Sequence, residues 1–409
     1  MQASPANPQC EVQTAALPAI SQSRSLPPGA MTLFSLGGAI LVSASSSAVT
    51  PLYRLYQESM HLTAFWITIV FATYVASLLV GLLTVGGLSD YVGRRPVILV
   101  ALLLNAAAMI LFAEARDVGQ LILARAVQGL CVGTGTTALG AAILDTNRAR
   151  GPLLNSVTPF LGLTAGSLGA ATLITFAPDP LHRVYEVLFG LTALMIALLW
   201  IMPESAPRKA GALASLRPHV SVPPQSRSIL IRLTPANVAA WALGGLYLSL
   251  MPTVVATAMG VHSPWIGGVV VSALMLTAAI AVAAFRDWPA RRLILMGTST
   301  LPLGVAVSMF GIQQQQVAAL LAGTVIAGGG FGTTFSGTLR ALLPTAEPDQ
   351  RAGLLSAFYV QSYLAFSLPA VAAGLSVPLI GLSTAACLYG AVIVLLAVTS
   401  MIASLWMDR

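Results

Sequence analysis

The sequence predicts an all-α membrane protein: twelve transmembrane helices in two parallel-repeat six-helix halves. Three observations carry this. The chain has too little charge for a water-facing surface, it holds twelve apolar stretches of spanning length, and its second half repeats its first. Of 409 residues, 56% are apolar and 8% charged, against about 25% charged in an ordinary soluble domain. The formal charge of +7 is spread singly and in pairs along the chain, so it forms no patch for nucleic acid. Cys10, Cys131 and Cys387 lie far apart, and neither a disulfide nor a metal site is expected.

Residues 1–30 are rich in Pro, Ser, Gln and Ala, with only Glu11 and Arg24 charged. No basic segment leads into a short apolar core, so they read as a disordered cytoplasmic tail and not as a secretory signal. A spanning helix needs about 20 mostly apolar residues, because lipid offers the backbone no hydrogen-bond partner. Six such stretches fall at 31–51, 64–88, 96–114, 119–144, 153–177 and 184–203. Six more fall at 236–260, 265–285, 290–310, 316–338, 352–377 and 381–406. The domains expected are therefore the tail, an N-terminal half over 31–203, a linker over 204–235 and a C-terminal half over 236–409. The linker holds five prolines, Pro207, Pro218, Pro223, Pro224 and Pro235, just after Pro203, and five bases: Arg208, Lys209, Arg217, Arg227 and Arg232.

Basic residues mark the cytoplasmic side of a membrane. With the N-terminus inside, sixteen of them face the cytoplasm and three (Arg54, Arg116 and Arg183) face out. Both termini are therefore expected to be cytoplasmic.

A shift of 197 residues aligns two separate pieces of the halves. Asp90, Gly93, Arg94 and Arg95 fall on Asp287, Ala290, Arg291 and Arg292, while Gly133, Gly135, Thr136, Thr137 and Gly140 fall on Gly330, Gly332, Thr333, Thr334 and Gly337. Six helices return the second half in the same orientation, so the repeat is parallel, the arrangement in which substrate is held near the midplane between halves.

The loop after the second span reads Gly86-Gly87-Leu88-Ser89-Asp90-Tyr91-Val92-Gly93-Arg94-Arg95-Pro96-Val97-Ile98. It resembles the signature of the major facilitator superfamily, G-x-L-a-D-r-x-G-r-k-x-x-l, with Arg95 for the Lys and Tyr91 for a basic residue. Gly93 suits a tight turn, and Asp90 can pair with Arg94, Arg95 or a helix N-terminus. The resemblance implies a gating motif (Gly86, Asp90, Gly93, Arg94 and Arg95) whose contacts break as the halves rock. Its counterpart in the second half is Asp287, Arg291 and Arg292; the alternative for both is a plain turn and topology signal. In the fourth span, Leu121 to Gly129 with Arg125 and Gln128 resembles the l-x-x-x-R-x-x-q-G pattern associated with proton coupling in the drug:proton antiporter branch. In the fifth, Gly162-x-x-x-Gly166-Ser167-x-x-Ala170-Ala171 departs from the antiporter signature at Ser167 and at the two alanines. Small residues at this spacing also serve close helix packing.

Arg125 is the one charge well inside a span, about 9 Å deep at about 1.5 Å per residue. A central charge costs about 2.5–3.5 kcal/mol on insertion scales, so Arg125 must face the bundle interior. It is a candidate for substrate or coupling; the alternative is a structural Arg satisfied by carbonyls and Gln128. Asp90, Asp145, Glu58, Glu114 and Glu186 all sit near span ends, and His61, His182, His219 and His262 lie in loops. The first span offers Ser43, Ser45, Ser46, Ser47 and Thr50 where many proton-coupled relatives carry an acid. Coupling is thus left to an acid at the mouth, such as Glu58 or Asp145, or transport is facilitated diffusion. Ser356, Tyr359, Tyr363 and Phe366 share one face of the eleventh span; with Tyr74 and Tyr247 they are the candidates for solute contact.

These features point to a secondary transporter moving a small organic solute by rocking-bundle alternating access, with efflux the expected direction and uptake or facilitated diffusion the alternatives. A transport-inactive membrane sensor is the reading from another class. An intramembrane enzyme lacks a nucleophile–base pair or metal ligands at depth, and an ATP-driven pump lacks a P-loop. The partners expected are the solute, the lipid bilayer and protons as candidate coupling ion, with no cofactor, in a monomer of a bacterial cytoplasmic membrane.

Overall fold

The computed structural model describes residues 28–261 and 263–406, and among them twelve helices are long and apolar enough to span a bilayer. In the first half these are α1 (Pro28–Met60), α2 (Ala64–Val85), α3 (Arg94–Ala113), α4 (Val118–Thr146), α5 (Gly151–Phe176) and α6 (Pro180–Leu199). In the second they are α7 (Pro224–Ser249), α8 (Pro264–Ala284), α9 (Ala290–Gln313), α10 (Val317–Leu342), α11 (Arg351–Ile380) and α12 (Leu382–Trp406). The expected tail falls, up to residue 27, outside the described residues, as do Cys10, Arg24, His262 and Arg409.

Prolines explain where element ends differ from the sequence reading. α1 continues through Pro51 to Met60, and α7 begins within the expected linker, at Pro224, and runs through Pro235. Pro224 occupies the first turn, where a missing N–H leaves nothing unpaired. An interior Pro frees the carbonyl four residues earlier, which a membrane bundle must satisfy from a neighbour. The carbonyl freed by Pro51 is that of Ser47, and Ser167 of α5 donates to it at 3.5 Å. α7 stops at Ser249 and resumes as a short helix over Met251–Ala258. Pro252 frees the Leu248 carbonyl, which accepts from Thr50 Oγ1 of α1 at 3.1 Å.

The two halves repeat one pattern of packing. α1 lies on α5 as α7 lies on α11, α2 on α4 as α8 on α10, and α3 on α4 and α6 as α9 on α10 and α12. The contacts between halves obey the same exchange: α5 packs on α8, and α11 on α2. Glycines set how closely these helices approach. A Cβ on Gly133 would stand 2.2 Å from the Leu78 carbonyl of α2, and one on Gly332 2.3 Å from the Ala278 carbonyl of α8. The structural equivalent of Gly133 is thus Gly332; Gly330, its partner in the sequence alignment, faces Leu301 of α9 instead. The loop repeats at 197 residues while the glycine seam is offset by two more, which turns the aligned residue toward a different helix.

Contacts between the halves concentrate away from the linker. Ser272 Oγ of α8 donates to the Thr164 carbonyl of α5 at 3.1 Å, and Phe71 of α2 meets Phe366 of α11 at 5.1 Å between centroids. Further out, Cβ atoms on Gly268 and Gly374 would lie 2.3 Å from Ala171 and 2.2 Å from Thr68. Toward the linker, the last ring contacts are those of Phe160 with Phe331 and Phe335. Beyond Phe160, no hydrogen bond or ring contact among the described residues joins the spanning helices of the two halves. The bundle is closed on the far side and loosened on the linker side.

Candidate functional site

The loop that reverses the chain between α2 and α3 gathers four charged side chains. After Gly86, which packs on Thr137 of α4, the chain makes one turn of helix over Ser89–Val92. Gly93 then takes φ 98°, a conformation only glycine adopts freely. Its Cβ would also lie 2.7 Å from Glu204. Glu204, just past α6, accepts from the backbone N–H groups of Arg94 (2.7 Å) and Arg95 (3.1 Å), so a carboxylate sits on the N-terminus of α3 where the helix dipole favours it. The Arg94 side chain, 8% exposed, pairs with Asp90 and, at 2.9 Å, with Asp145 at the end of α4; Ser89 Oγ accepts a third bond at 2.8 Å. One guanidinium thus ties the loop to α4, while Glu204 ties α3 to α6. Arg95 turns outward and donates to the Trp200 carbonyl at 3.1 Å. Asp145 appears in the sequence as an acid at the mouth, but Glu204 carries no motif signal.

The second-half counterpart is not assembled in this way. Asp287 is 86% exposed and pairs with its neighbour Arg286, while Arg291 and Arg292 lie at the surface. There the turn is held by Arg340 of α10, which donates to the carbonyls of Arg286 and Trp288.

Arg125 lies in the middle of the first half, 1% exposed. Nη1 donates to Gln128 Oε1 at 2.6 Å and to the Ser46 carbonyl at 3.1 Å, and Nη2 donates to the Tyr53 hydroxyl. The rings of Tyr53, Tyr74 and Phe112 surround the cation, with centroids 5.3, 5.2 and 5.8 Å away. Gln128 is itself held by the Ser45 carbonyl at 2.9 Å. No carboxylate among the described residues pairs with this charge, so its burial is compensated by neutral dipoles and rings. Bonds to a charged group contribute about 1.5–3 kcal/mol each and a cation over a ring about 0.5–2 kcal/mol, enough together to offset the insertion cost. The Nε–H has no partner. Nearby, Asn105 joins Ser45 and Thr192 at 3.1 and 2.9 Å, tying α3 to α1 and α6.

Where the halves meet, the rings form one connected cluster. Trp241 of α7 touches Phe335, Tyr359, Tyr363 and Phe366, and Phe160 of α5 packs edge-on against Phe331 and Phe335. Trp241, Phe335, Tyr359 and Tyr363 are half-buried. The Trp241 Nε1–H has no hydrogen-bond partner; the hydroxyls of Tyr359 and Tyr363 make no hydrogen bond among the described residues. Tyr74 of α2 lies against the Arg125 guanidinium, one turn along the helix from Phe71, which meets Phe366 of the ring cluster. Tyr359 and Tyr363 are therefore brought together, while Tyr74 stands with Arg125 and Gln128. Tyr247 is not part of this group: its hydroxyl lies inside the second half, 3.1 Å from Ser308 Oγ and 2.9 Å from Thr324 Oγ1. Ser356 lies two turns nearer the linker, bonded to its own helix. Sequence reasoning missed Trp241 and Phe335, because one aromatic residue in an apolar span carries no periodic signal.

Two equivalent six-helix halves that meet around a shared polar and aromatic surface, loosened on one side, define a membrane transporter. The chain belongs to the major facilitator superfamily, whose family model it matches over residues 35–368. It is similar to Multidrug resistance protein MdtL of Klebsiella pneumoniae, 24% identical over 286 residues that make up 66% of this chain and 71% of the relative. The protein of the same name from Vibrio parahaemolyticus is 26% identical over 149 residues, 35% of this chain and 37% of that one. Among solved structures, the nucleoside transporter NupG superposes with a TM-score of 0.71 at 11% identity, covering 91% of this chain and 99% of that one. The xylose transporter XylE from E. coli, in a partially occluded inward open conformation, gives 0.71 at 14% identity over 91% and 96% of the two chains. The human organic anion transporter MFSD10 gives 0.66 at 18% identity over 92% and 100%. At these identities the likeness to solved structures concerns the fold.

Proposed function

We propose that this protein exports a small aromatic solute across the cytoplasmic membrane of a bacterium by alternating access, and that the ring cluster around Trp241 receives the solute. The observation that carries this reading is the uncommitted donor set at the junction of the halves. One buried indole N–H and two phenol hydroxyls, on Trp241, Tyr359 and Tyr363, sit without hydrogen-bond partners in a second-half ring cluster that Phe71 and Phe160 of the first half join at its edge. Flat rings supply apolar contact, and the free donors select a solute bearing a carbonyl, carboxylate or ether oxygen. The names of the bacterial relatives, multidrug resistance proteins, support an outward direction. Protons are the proposed coupling ion, with Asp145 at the linker-side mouth the carboxylate placed to exchange them; uncoupled facilitated diffusion is the alternative.

The test compares cells with and without the protein for accumulation of a panel of aromatic solutes, with and without an imposed pH step. Trp241→Phe keeps the ring and removes the donor, so it is expected to weaken export of acceptor-bearing solutes about fivefold to tenfold, the value of one hydrogen bond of about 1–1.4 kcal/mol. Equal accumulation in both strains across the panel ends the export reading. Export that ignores the pH step ends proton coupling and leaves the facilitator.

A further inference from the structure

The linker-side edge of the first half carries a groove of about 530 Å³ that takes no part in the surface between the halves. It lies where the start of α3 runs beside the end of α6, with Arg95, Leu99, Leu199, Trp200 and Arg208 among its walls. Two guanidinium groups border it, and neither forms an ion pair among the described residues. Glu204, the acid in the same wall, is fully used: besides Arg94 and Arg95 it accepts from the backbone N–H groups of Ser205 and Ala206, at 3.0 and 3.3 Å. Arg95 is held in place by one bond to the Trp200 carbonyl, which leaves most of its fork free. Trp200 is 71% exposed at the end of a membrane span, the depth at which indole rings sit among lipid headgroups. Below it, Leu99 and Leu199 continue the wall toward the hydrocarbon.

Two free cations above an apolar wall, at the boundary of the bilayer, match an amphiphile with an anionic head. We propose that this groove binds an anionic phospholipid of the linker-side leaflet. Its phosphate lies between Arg95 and Arg208, and an acyl chain runs along Leu99 and Leu199 beside Trp200. A guanidinium fork holds phosphate oxygens in pairs, and basic pockets between spanning helices select such headgroups. Free phosphate would meet the arginines and leave the apolar wall unused.

The test uses the purified full-length protein in neutral detergent. Its thermal unfolding is followed during titration with phosphatidylglycerol, with phosphatidylcholine of the same chains, and with inorganic phosphate. Phosphatidylglycerol is expected to raise the unfolding temperature saturably, at concentrations where the other two do not. A basic residue at a membrane surface contributes about fivefold in affinity for anionic lipid. Arg208→Gln should therefore weaken the apparent affinity about fivefold, and Arg95→Gln with Arg208→Gln about 25-fold, while Arg183→Gln at the far side changes nothing. Undiminished preference in the double variant, equal loss with Arg183→Gln, or the same stabilisation by inorganic phosphate each overturns the proposal. Should the double variant not fold, native mass spectrometry of Arg208→Gln decides: phosphatidylglycerol retained at the unsubstituted protein's occupancy rejects the site.

Discussion

Arg125 shows how a charge is made stable at membrane depth without a counter-ion. The Ser46 carbonyl, Gln128 Oε1 and the Tyr53 hydroxyl each accept a hydrogen bond from its guanidinium, and three rings close around it. Arg125→Ala would leave those acceptors facing a cavity, and the loss of stability expected is about 3–5 kcal/mol, in the range for breaking a buried charged network. Arg125→Lys keeps the charge and loses the fork, a change of about 1.5–3 kcal/mol if one charged bond is lost. Thermal unfolding of the two variants in detergent checks both values, and an Ala variant as stable as the unsubstituted protein would reject the network. Measuring transport alongside separates roles: a tenfold loss in a Lys variant of normal stability would assign the guanidinium to solute or coupling. The Arg94 cluster lies nearer water. Asp90 is 57% exposed, so Asp90→Asn should change stability by less than about 1 kcal/mol. If the loop is a latch, the same variant transports more slowly; a normal rate would leave it a turn.

At the scale of elements, small residues decide which helices can slide on one another. α5 meets α8 through Ser167, Ala171 and Gly268, and α2 meets α11 at Thr68 and Gly374. These pairs belong to different halves and lie on the closed side, so in the proposed alternating-access cycle they form the seam that would part. A Cβ on Gly268 would sit 2.3 Å from that of Ala171 and 2.9 Å from the Ser167 carbonyl, and neither neighbour is a flexible chain end. Gly268→Val is therefore expected to hold the seam apart and favour the far-side-open state. Spin labels near the far ends of α5 and α8 should report a longer distance in this variant, and an unchanged distribution would mean that the seam is not the closing surface. Gly297, Gly304 and Gly311 instead bring α9 onto α10 within one half, a contact that alternating access leaves intact.

Over the whole molecule, the contacts α5–α8 and α11–α2 repeat one another under exchange of the halves, so the halves share one surface of matched seams. The motion proposed for such an arrangement is rocking, in which each half keeps its internal packing while the seam on one side or the other is broken. The orientation of that motion depends on which side faces the cytoplasm, and from the distribution of basic residues we propose that it is the linker side. With Cys10, Cys131 and Cys387 replaced, single cysteines at positions 217 and 182 should label from the inside and the outside of intact cells respectively. Labelling of position 217 from outside would invert the topology.

What the sequence determined by itself is the number of spans, their division into halves and the family. These follow from bulk properties: lipid forces every spanning segment to be a helix of about 20 apolar residues, and the loop from Gly86 to Ile98 is local enough to read letter by letter. Arg125 was legible for the same reason, as a lone charge in an apolar run. Tertiary structure alone decided what each of these residues meets. That Tyr247 turns into its own half while Tyr359 and Tyr363 join Trp241, and that Glu204 caps α3 from more than a hundred residues away, depends on helix rotation and neighbours. Because lipid and protein interior are almost equally apolar, the hydrophobic pattern along a spanning helix scarcely distinguishes its faces; close packing at glycines and the need to satisfy buried polar groups set which way each helix turns.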